Sequence, residues 1–202
     1  MIYLYTGTPG SGKSLHTARD IRDTLYFKKL PVIANFDINP TTKNYEKLFF
    51  YVPNDQLKPD FLYSFARNYW QGKPIKEDSI LLVLDEAQLI FNSRSWSAKQ
   101  RMDWIEFFSQ HRHFGYKVIF IAQFDRMIDR QIRCLVEIEV KHRRLDNYGM
   151  KGKILSLPFG GKLFAAVNYY YGLNEKVGMS WYLPRKKYFK LYDSYNRFEQ
   201  AD

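Results

Sequence analysis

Apolar segments of strand length alternate along this chain with segments in which apolar residues recur at helical spacing. Leu15, Ala18, Ile21 and Leu25 are an example of the second pattern, because they would share one face of a helix. The predicted strands are 2–5, 32–36, 79–84, 117–122 and 135–140, with a short additional strand at 49–52. The predicted helices run from the first loop to about residue 27, and over 58–71, 98–114 and 125–131. This alternation predicts an α/β fold with a mainly parallel sheet of about five strands.

The pattern of residue types changes beyond Arg144. Short aromatic stretches are punctuated there by glycines, namely Gly149, Gly152, Gly160 and Gly161. That pattern is typical of β-hairpins. We therefore expect a core over residues 1–144 and a basic, aromatic, β-rich extension over residues 145–202 that packs on it.

Composition narrows the class of protein. Hydrophobic residues make up 46% of the 202 residues, which is enough for a packed core. The single cysteine, Cys134, cannot form an internal disulfide, and its apolar neighbours predict a buried side chain. There is no secretory signal pattern, and no segment approaches the roughly 18 apolar residues of a membrane-spanning helix. We expect a cytoplasmic protein, at most peripheral to a membrane.

The positive charge is concentrated in the last third of the chain. The net charge is +10, and residues 141–202 contain 12 Lys and Arg against 5 Asp and Glu. In this region the aromatic stretches 169–171, 181–182 and 188–189 adjoin the basic cluster at 185–190. Packing explains most of the aromatic residues but not the basic cluster, which indicates single-stranded nucleic acid, an anionic membrane surface or an acidic partner. The alternative is a solvated basic face without a specific partner.

The pattern G-x-x-x-x-G-K-[ST] of a phosphate-binding loop (P-loop) is complete between Gly7 and Ser14. It follows an apolar strand and begins an amphipathic helix, as its mechanism requires, because backbone N–H groups and the helix N-terminus must face the phosphates. Lys13 is expected to contact the β- and γ-phosphates, and Ser14 to hold Mg²⁺. The predicted nucleotide-binding residues are Gly7, Thr8, Pro9, Gly10, Ser11, Gly12, Lys13, Ser14 and Leu15.

An apolar strand that ends in two carboxylates is the second motif. Residues 80–84 are all aliphatic and are followed by Asp85 and Glu86. This is the Walker B arrangement, in which Asp85 would contact Mg²⁺ through water. Glu86 is placed to polarise the water that attacks the γ-phosphate. The alternative is an acidic turn after a strand.

The remaining candidates for catalysis are Gln123 and three arginines. P-loop ATPases with a catalytic glutamate have an additional strand between the loop strand and the Walker B strand, and its tip carries a polar sensor of the γ-phosphate. Counting strands assigns that tip to Gln123. Arg94, Arg101 and Arg112 follow the Walker B strand and could act as arginine fingers across a subunit interface, with Arg112 the first choice. For each arginine the alternative is an ordinary surface residue.

Together these motifs resemble the zonula occludens toxin (Zot) family, which includes the gene-I assembly proteins of filamentous bacteriophages. The resemblance lies in residues 2–14, 32–35, 84–88, 111–115 and 121–123, and a fainter similarity follows at 192–195. It implies an oligomeric, Mg²⁺-dependent ATPase domain that powers phage assembly and export at the cytoplasmic face of the inner membrane. Its partners would be phage assembly or inner-membrane proteins. Family members usually continue into a transmembrane helix and a periplasmic part.

Other functions remain open at this point. A nucleic-acid-translocating ATPase, as in DNA packaging or conjugation, would use the basic aromatic region to bind DNA. A GTPase would need an Asn-Lys-x-Asp string, which the sequence lacks, and a small-molecule kinase has less use for Glu86 beside Asp85. A structural subunit with a relict loop is the last alternative.

Overall fold

A single eight-stranded sheet forms the centre of the protein in a computed structural model of the chain. The structure describes residues 1–92, 97–145 and 162–191, together with residues 150, 154 and 156–159. The strands are β1 Ile2–Thr6, β2 Val32–Ala34, β3 Phe49–Tyr51, β4 Ile80–Leu84, β5 Tyr116–Ile121, β6 Ile138–Arg144, β7 Phe164–Tyr170 and β8 Glu175–Tyr182. Their order across the sheet is β3-β2-β4-β5-β1-β6-β7-β8.

The described helices are mostly short. They are α1 Lys13–Asp23, α2 Tyr45–Leu48, α3 Pro59–Trp70, α4 Ala87–Ile90, α5 Ala98–Gln110, α6 Arg130–Arg133 and α7 Lys186–Phe189. A π-helical turn, Thr24–Lys28, extends α1, and 3₁₀ turns occupy His111–Phe114, Asp125–Met127 and Leu157–Phe159. In the part of the chain that the structure describes, no helix has the length and apolar character needed to span a bilayer.

The sheet is parallel from β3 to β6 and antiparallel beyond it. β1 pairs in parallel with both β5 and β6, and β4 with both β2 and β5. β7 and β8 then continue the same sheet as an antiparallel hairpin. The predicted α/β fold with a mainly parallel sheet is therefore confirmed. The parallel part has six strands, because short β3 joins the sheet edge beside β2.

Two apolar cores cover the two faces of the sheet. On one face, Leu15, Ala18 and Ile21 of α1 pack against Tyr5 and neighbouring strand residues. On the other, Leu62 of α3 and Phe107 and Phe108 of α5 pack against Leu4 and Leu82. Because the central strands are covered on both sides, β4 is buried at every position, which explains its unbroken aliphatic sequence.

Two expectations about the region before β6 were wrong. The strand begins at Ile138 instead of 135, because α6 ends in a turn in which Leu135 N donates to Ile132 O. Cys134 lies in the same turn, at the end of α6, and its side chain is exposed, not buried.

The C-terminal third contacts α1 in two ways. The β7–β8 hairpin extends the sheet beside β6, and Phe164 and Tyr182 pack in the same core as α1. Residues 183–191, here called the C-terminal strap, follow β8, and their helix α7 packs against α1, while Asn39 N donates to Leu191 O at 2.9 Å. The division at residue 144 stays a prediction, and the glycines expected between its hairpins lie outside the described residues.

Candidate nucleotide-binding site

The P-loop joins the carboxyl end of β1 to the N-terminus of α1. Gly7, Gly10 and Gly12 have φ values of 144°, 74° and 97°, a region that side chains disfavour. A Cβ on Gly12 would lie 2.5 Å from Phe164 Cδ1, so glycine is required there by both the backbone and the neighbouring hairpin. The loop therefore folds as its motif predicts.

The Ser11 hydroxyl is a buried polar group inside this loop. Its Oγ is buried and has no hydrogen-bond partner among the described residues, while its N–H donates to Thr8 O at 3.1 Å. Buried hydroxyls normally have a partner, and leaving one without costs about 1–3 kcal/mol. An oxygen-rich ligand such as a phosphate would satisfy this hydroxyl.

Lys13 lies against the loop that precedes it. Its Nζ donates to Gly7 O at 2.5 Å and to Thr8 O at 3.3 Å. Burial lowers the pKa of Lys13, while the nearby carboxylates of Glu86 and Asp85 act in the opposite direction. The fold thus brings together the predicted lysine and both predicted carboxylates.

Asp85 is held by a neighbouring strand as well as by its own. Asn35, just past β2, accepts from Asp85 N at 2.7 Å and donates to Asp85 O at 2.8 Å. Asn54 supports the same amide by accepting from Asn35 Nδ2 at 2.9 Å. No role for Asn35 was predicted from the sequence. Its place, a polar residue directly after an apolar strand, is the signal that could have indicated a role at the site.

Glu86 has a left-handed backbone, with φ 50° and ψ 46°. Such a conformation is uncommon for a residue other than glycine and costs on the order of 1–3 kcal/mol. Its N–H donates to Asp85 Oδ1 at 2.8 Å, and its carboxylate accepts from Gln88 Nε2. The backbone turn and the Gln88 contact fix the direction of the Glu86 side chain.

Gln123 lies two residues past the end of β5, and β5 lies between β1 and β4, as the strand count predicted. Its carbonyl accepts from Gly7 N at 3.2 Å, which joins the tip of β5 to the P-loop. Gln123 also lines a cavity of about 510 Å³ that extends from Thr8 to Arg143 and Arg144. The backbone of Gln123 is thus placed beside the P-loop.

Arg112, the first choice among the candidate arginine fingers, is not brought to the P-loop within one chain. Arg112 lies in the 3₁₀ turn before β5, at the opposite end of the sheet, and bonds to Glu137. At about 3.4 Å per residue, β5 separates its two ends by roughly 17 Å. Arg101 pairs with Asp129 at 3.5 Å, and Arg94 lies outside the described residues. A role for Arg112 in a neighbouring subunit's site stays a prediction.

A buried layer of polar and aromatic side chains lies beneath the P-loop, and the sequence analysis did not anticipate it. His142 Nδ1 contacts the carbonyls of Thr6 and Val140 at 3.2 and 3.0 Å, so this nitrogen must donate. Its Nε2 can then accept from His16 Nδ1 at 2.9 Å. Burial lowers the pKa of His142 to about 3, so the ring is neutral at pH 7. Tyr182 stacks on His16 and donates to Gly12 O at 3.0 Å.

The donors at the site fit a magnesium ion bound mainly by a nucleotide. No group of three or more His, Cys, Asp or Glu residues that could hold a metal occurs in the described ranges. Magnesium in phosphate-transfer sites commonly takes only one or two protein oxygens, with water and phosphate supplying the others. The hydroxyl of Ser14 and the carboxylate of Asp85 are oxygen donors of that type.

The fold and this loop define a P-loop NTPase, and comparison with known proteins identifies its family. The model of the zonular occludens toxin (Zot) family matches residues 1–198, so the chain belongs to that family. The Gene 1 protein of Enterobacteria phage fd is 31% identical over 179 residues, which cover 82% of this chain and 47% of that protein. The Gene 1 protein of Salmonella phage IKe is 33% identical over 172 residues, covering 80% and 46%. The chain thus spans about half the length of these curated relatives.

Solved structures agree with the fold. The N-terminal domain of zonular occludens toxin from Neisseria meningitidis superposes with a TM-score of 0.55 and 20% identity, covering 95% of this chain and 98% of that one. The genome packaging NTPase B204 from Sulfolobus turreted icosahedral virus 2, solved with ATP-gammaS, gives a TM-score of 0.54 and 13% identity. That match covers 91% of this chain and 97% of that one. The expected P-loop fold is confirmed.

Proposed function

We propose that this chain is an Mg²⁺-dependent ATPase motor domain that powers filamentous phage assembly and export at the cytoplasmic face of the inner membrane. The observation that carries the proposal is the convergence of Lys13, Asp85, Glu86 and Gln123 at the carboxyl ends of three adjacent strands. A loop that only bound a nucleotide would not need the paired carboxylates. Membership of the Zot family and similarity to phage Gene 1 proteins support the biological role.

In this proposal the P-loop binds the triphosphate. Backbone N–H groups of the loop that do not bond within the protein, together with the N-terminus of α1, would face the phosphates, as expected for this motif. Lys13 Nζ, now bonded to two loop carbonyls, would exchange them for phosphate oxygens, which are stronger acceptors for an ammonium group. Ser11 Oγ would gain the partner that it lacks.

Ser14 and Asp85 would hold the magnesium ion, whose charge stabilises the negative charge that develops during phosphoryl transfer. Asp85 suits this task because it is only 8% exposed, and because Asn35 bonds to both its backbone N–H and its backbone C=O. Preorganised charges cost no rearrangement during the reaction. Asn35 is therefore a positioning residue in this scheme.

Glu86 would act as the general base. It accepts a proton from the water that attacks the γ-phosphate, and Gln88 orients its carboxylate. Gln123, at the tip of β5 beside Gly7, would contact the γ-phosphate and report its presence. Arg112 would complete the site of an adjacent subunit in a homo-oligomer, since it lies far from the P-loop of its own chain.

The test is an ATPase assay on the wild type, Glu86→Gln and Lys13→Ala. Glu86→Gln should bind ATP with near wild-type affinity and hydrolyse it at least 100-fold more slowly, because an amide cannot accept the proton. Lys13→Ala should lose most of its affinity for ATP. Glu46→Gln removes an exposed carboxylate on α2 and serves as the matched control. Normal hydrolysis by Glu86→Gln would show that another group is the base.

A second candidate function is an ATPase that translocates nucleic acid in packaging or conjugation. One observation favours it, namely a basic, aromatic groove against α1. Single-stranded DNA should then stimulate hydrolysis, and the stimulation should fall steeply with salt. If the purified chain does not move along single-stranded DNA, but the Glu86→Gln substitution stops phage release in the host, the assembly motor is the better description.

A further inference from the structure

A groove lies between α1, the C-terminal strap and the end of β8. Its volume is about 720 Å³, and its lining combines cationic and aromatic side chains. The principal lining residues are Arg19, Arg22, Phe27, Trp181, Arg185 and Lys187. Neither the P-loop nor the Walker B carboxylates line this groove, so it is separate from the nucleotide site.

The charge of the groove is strongly positive. Among the described residues that line it, Asp23 is the one carboxylate, and both Arg19 and Arg22 contact Asp23, at 3.7 and 3.5 Å. Within the described residues, Arg185 and Lys187 form no ion pair. Four cations against one carboxylate attract an anionic ligand.

The aromatic rings of the groove are more exposed than core packing requires. Phe27 is 71% exposed and Trp181 is 48% exposed. The Arg22 guanidinium lies 5.5 Å from the centre of the Phe27 ring, so charge and ring surface are presented together. Alternating cations and exposed rings match a ligand that carries both phosphates and flat bases.

We propose that this groove binds single-stranded DNA. The cations would contact backbone phosphates, and Trp181 and Phe27 would stack on bases. A flat membrane fits poorly, because the cations and rings line a groove and not a flat surface. An acidic peptide would use the charges but has less need for exposed flat rings, and three of the four cations are arginines, which suit phosphate.

A DNA strand bound in the groove would contact Tyr182 and α1, which are joined to the P-loop. Tyr182 lines the groove, and its hydroxyl donates to Gly12 O at 3.0 Å. Arg19 and Arg22 belong to α1, which begins at Lys13. We therefore expect bound DNA to alter the rate of ATP hydrolysis, and this link alone rests on the proposed function.

The test measures the fluorescence anisotropy of a labelled oligothymidylate with the full chain, without nucleotide, over a series of salt concentrations. If all four cations contact phosphates, the slope of log K against log salt should be about −2.8, since each contact on a single strand contributes about −0.7. The double variant Arg185→Ala/Lys187→Ala should reduce that slope to about −1.4. Lys47→Ala/Lys99→Ala removes two exposed charges elsewhere and should leave it unchanged.

Trp181 tests the stacking part of the proposal. Trp181→Ala should weaken binding by about tenfold, whereas Trp181→Phe should recover most of the affinity, because a base can stack on either ring. Equal affinity of all groove variants and the lysine control would overturn the proposal. So would vesicles of anionic lipid that bind the chain through the groove residues while DNA does not.

The same variants separate this inference from the proposed function. Basal ATP hydrolysis without DNA should be unchanged in the Arg185→Ala/Lys187→Ala variant, because neither residue lies at the nucleotide site. If the wild type binds DNA through the groove but does not hydrolyse ATP, the proposed function fails and the DNA site stands. If it hydrolyses ATP normally and shows no DNA binding at low salt, the DNA site fails instead.

Discussion

Replacing Gly12 by alanine should destabilise the protein through contacts that the P-loop makes with the C-terminal hairpin. Gly12 has φ 97°, and a Cβ there would lie 2.5 Å from Phe164 Cδ1 and 2.9 Å from the Tyr182 hydroxyl. Two costs follow. The left-handed backbone costs an alanine about 1–2 kcal/mol, and forcing a methyl group into packed side chains costs about 1–3 kcal/mol more.

Gly10 provides a control that separates these two costs. Its φ is 74°, also left-handed, but a Cβ at this position would meet nothing within 4 Å. Gly10→Ala should therefore lower the free energy of unfolding only by the backbone cost, about 1–2 kcal/mol. Gly12→Ala should lower it by about 2–5 kcal/mol in total. The difference between the two variants measures the contact with the hairpin.

Urea unfolding followed by circular dichroism measures both free energies of unfolding, and a fluorescent ATP analogue measures the affinity of the loop. Gly12→Ala should also bind the analogue more weakly than Gly10→Ala, because the clash moves the first turn of α1. Equal free energies of unfolding for the two variants would refute the reasoning, since they would mean that Phe164 and Tyr182 do not pack on the loop in solution.

Two further predictions concern side chains around the loop. Asn35→Ala should lower kcat about 10–100-fold with little change in ATP affinity, because Asp85 loses both backbone contacts; Asn54→Ala, which removes only the bond to Asn35, should lower kcat much less. Lowering the pH from 6.5 to 5 should cost about 2 kcal/mol of unfolding free energy from His142 alone, since its folded pKa is depressed and the unfolded chain takes up the proton first. Urea titrations should find this loss reduced in His142→Gln; an equal loss in the variant would show that another group takes up the proton.

Much of the nucleotide site could be predicted from the sequence, because its parts are local. The P-loop needs glycines at fixed spacing between a strand and a helix, and all of these lie within residues 2–23. The Walker B strand is covered on both faces, which forces a continuous aliphatic run before Asp85. Gln123 was placed correctly at a strand tip because counting strands is enough when the fold class is known.

Contacts between distant parts of the chain could not be predicted in the same way. Asn35 and Asp85 are 50 residues apart, and His16 and His142 are 126 apart. No periodicity in the sequence records which strand tips become neighbours. Arg112 precedes β5 in the sequence, so its place at the amino end of that strand could be expected, but no pattern within one chain shows whether that end approaches the site of another subunit.

The site is built from both ends of the chain, which bears on what the C-terminal third does. α1 contributes Lys13 and Ser14 at its first turn, the strap packs on α1 through α7, and Tyr182 of the hairpin donates to Gly12 O just before that turn. A ligand in the groove would therefore contact the helix that begins at Lys13, without touching the nucleotide. In a motor, that arrangement would let the translocated substrate and the hydrolysis site influence each other through α1. The substrate would change the affinity for nucleotide by the same factor by which the nucleotide changes the affinity for the substrate.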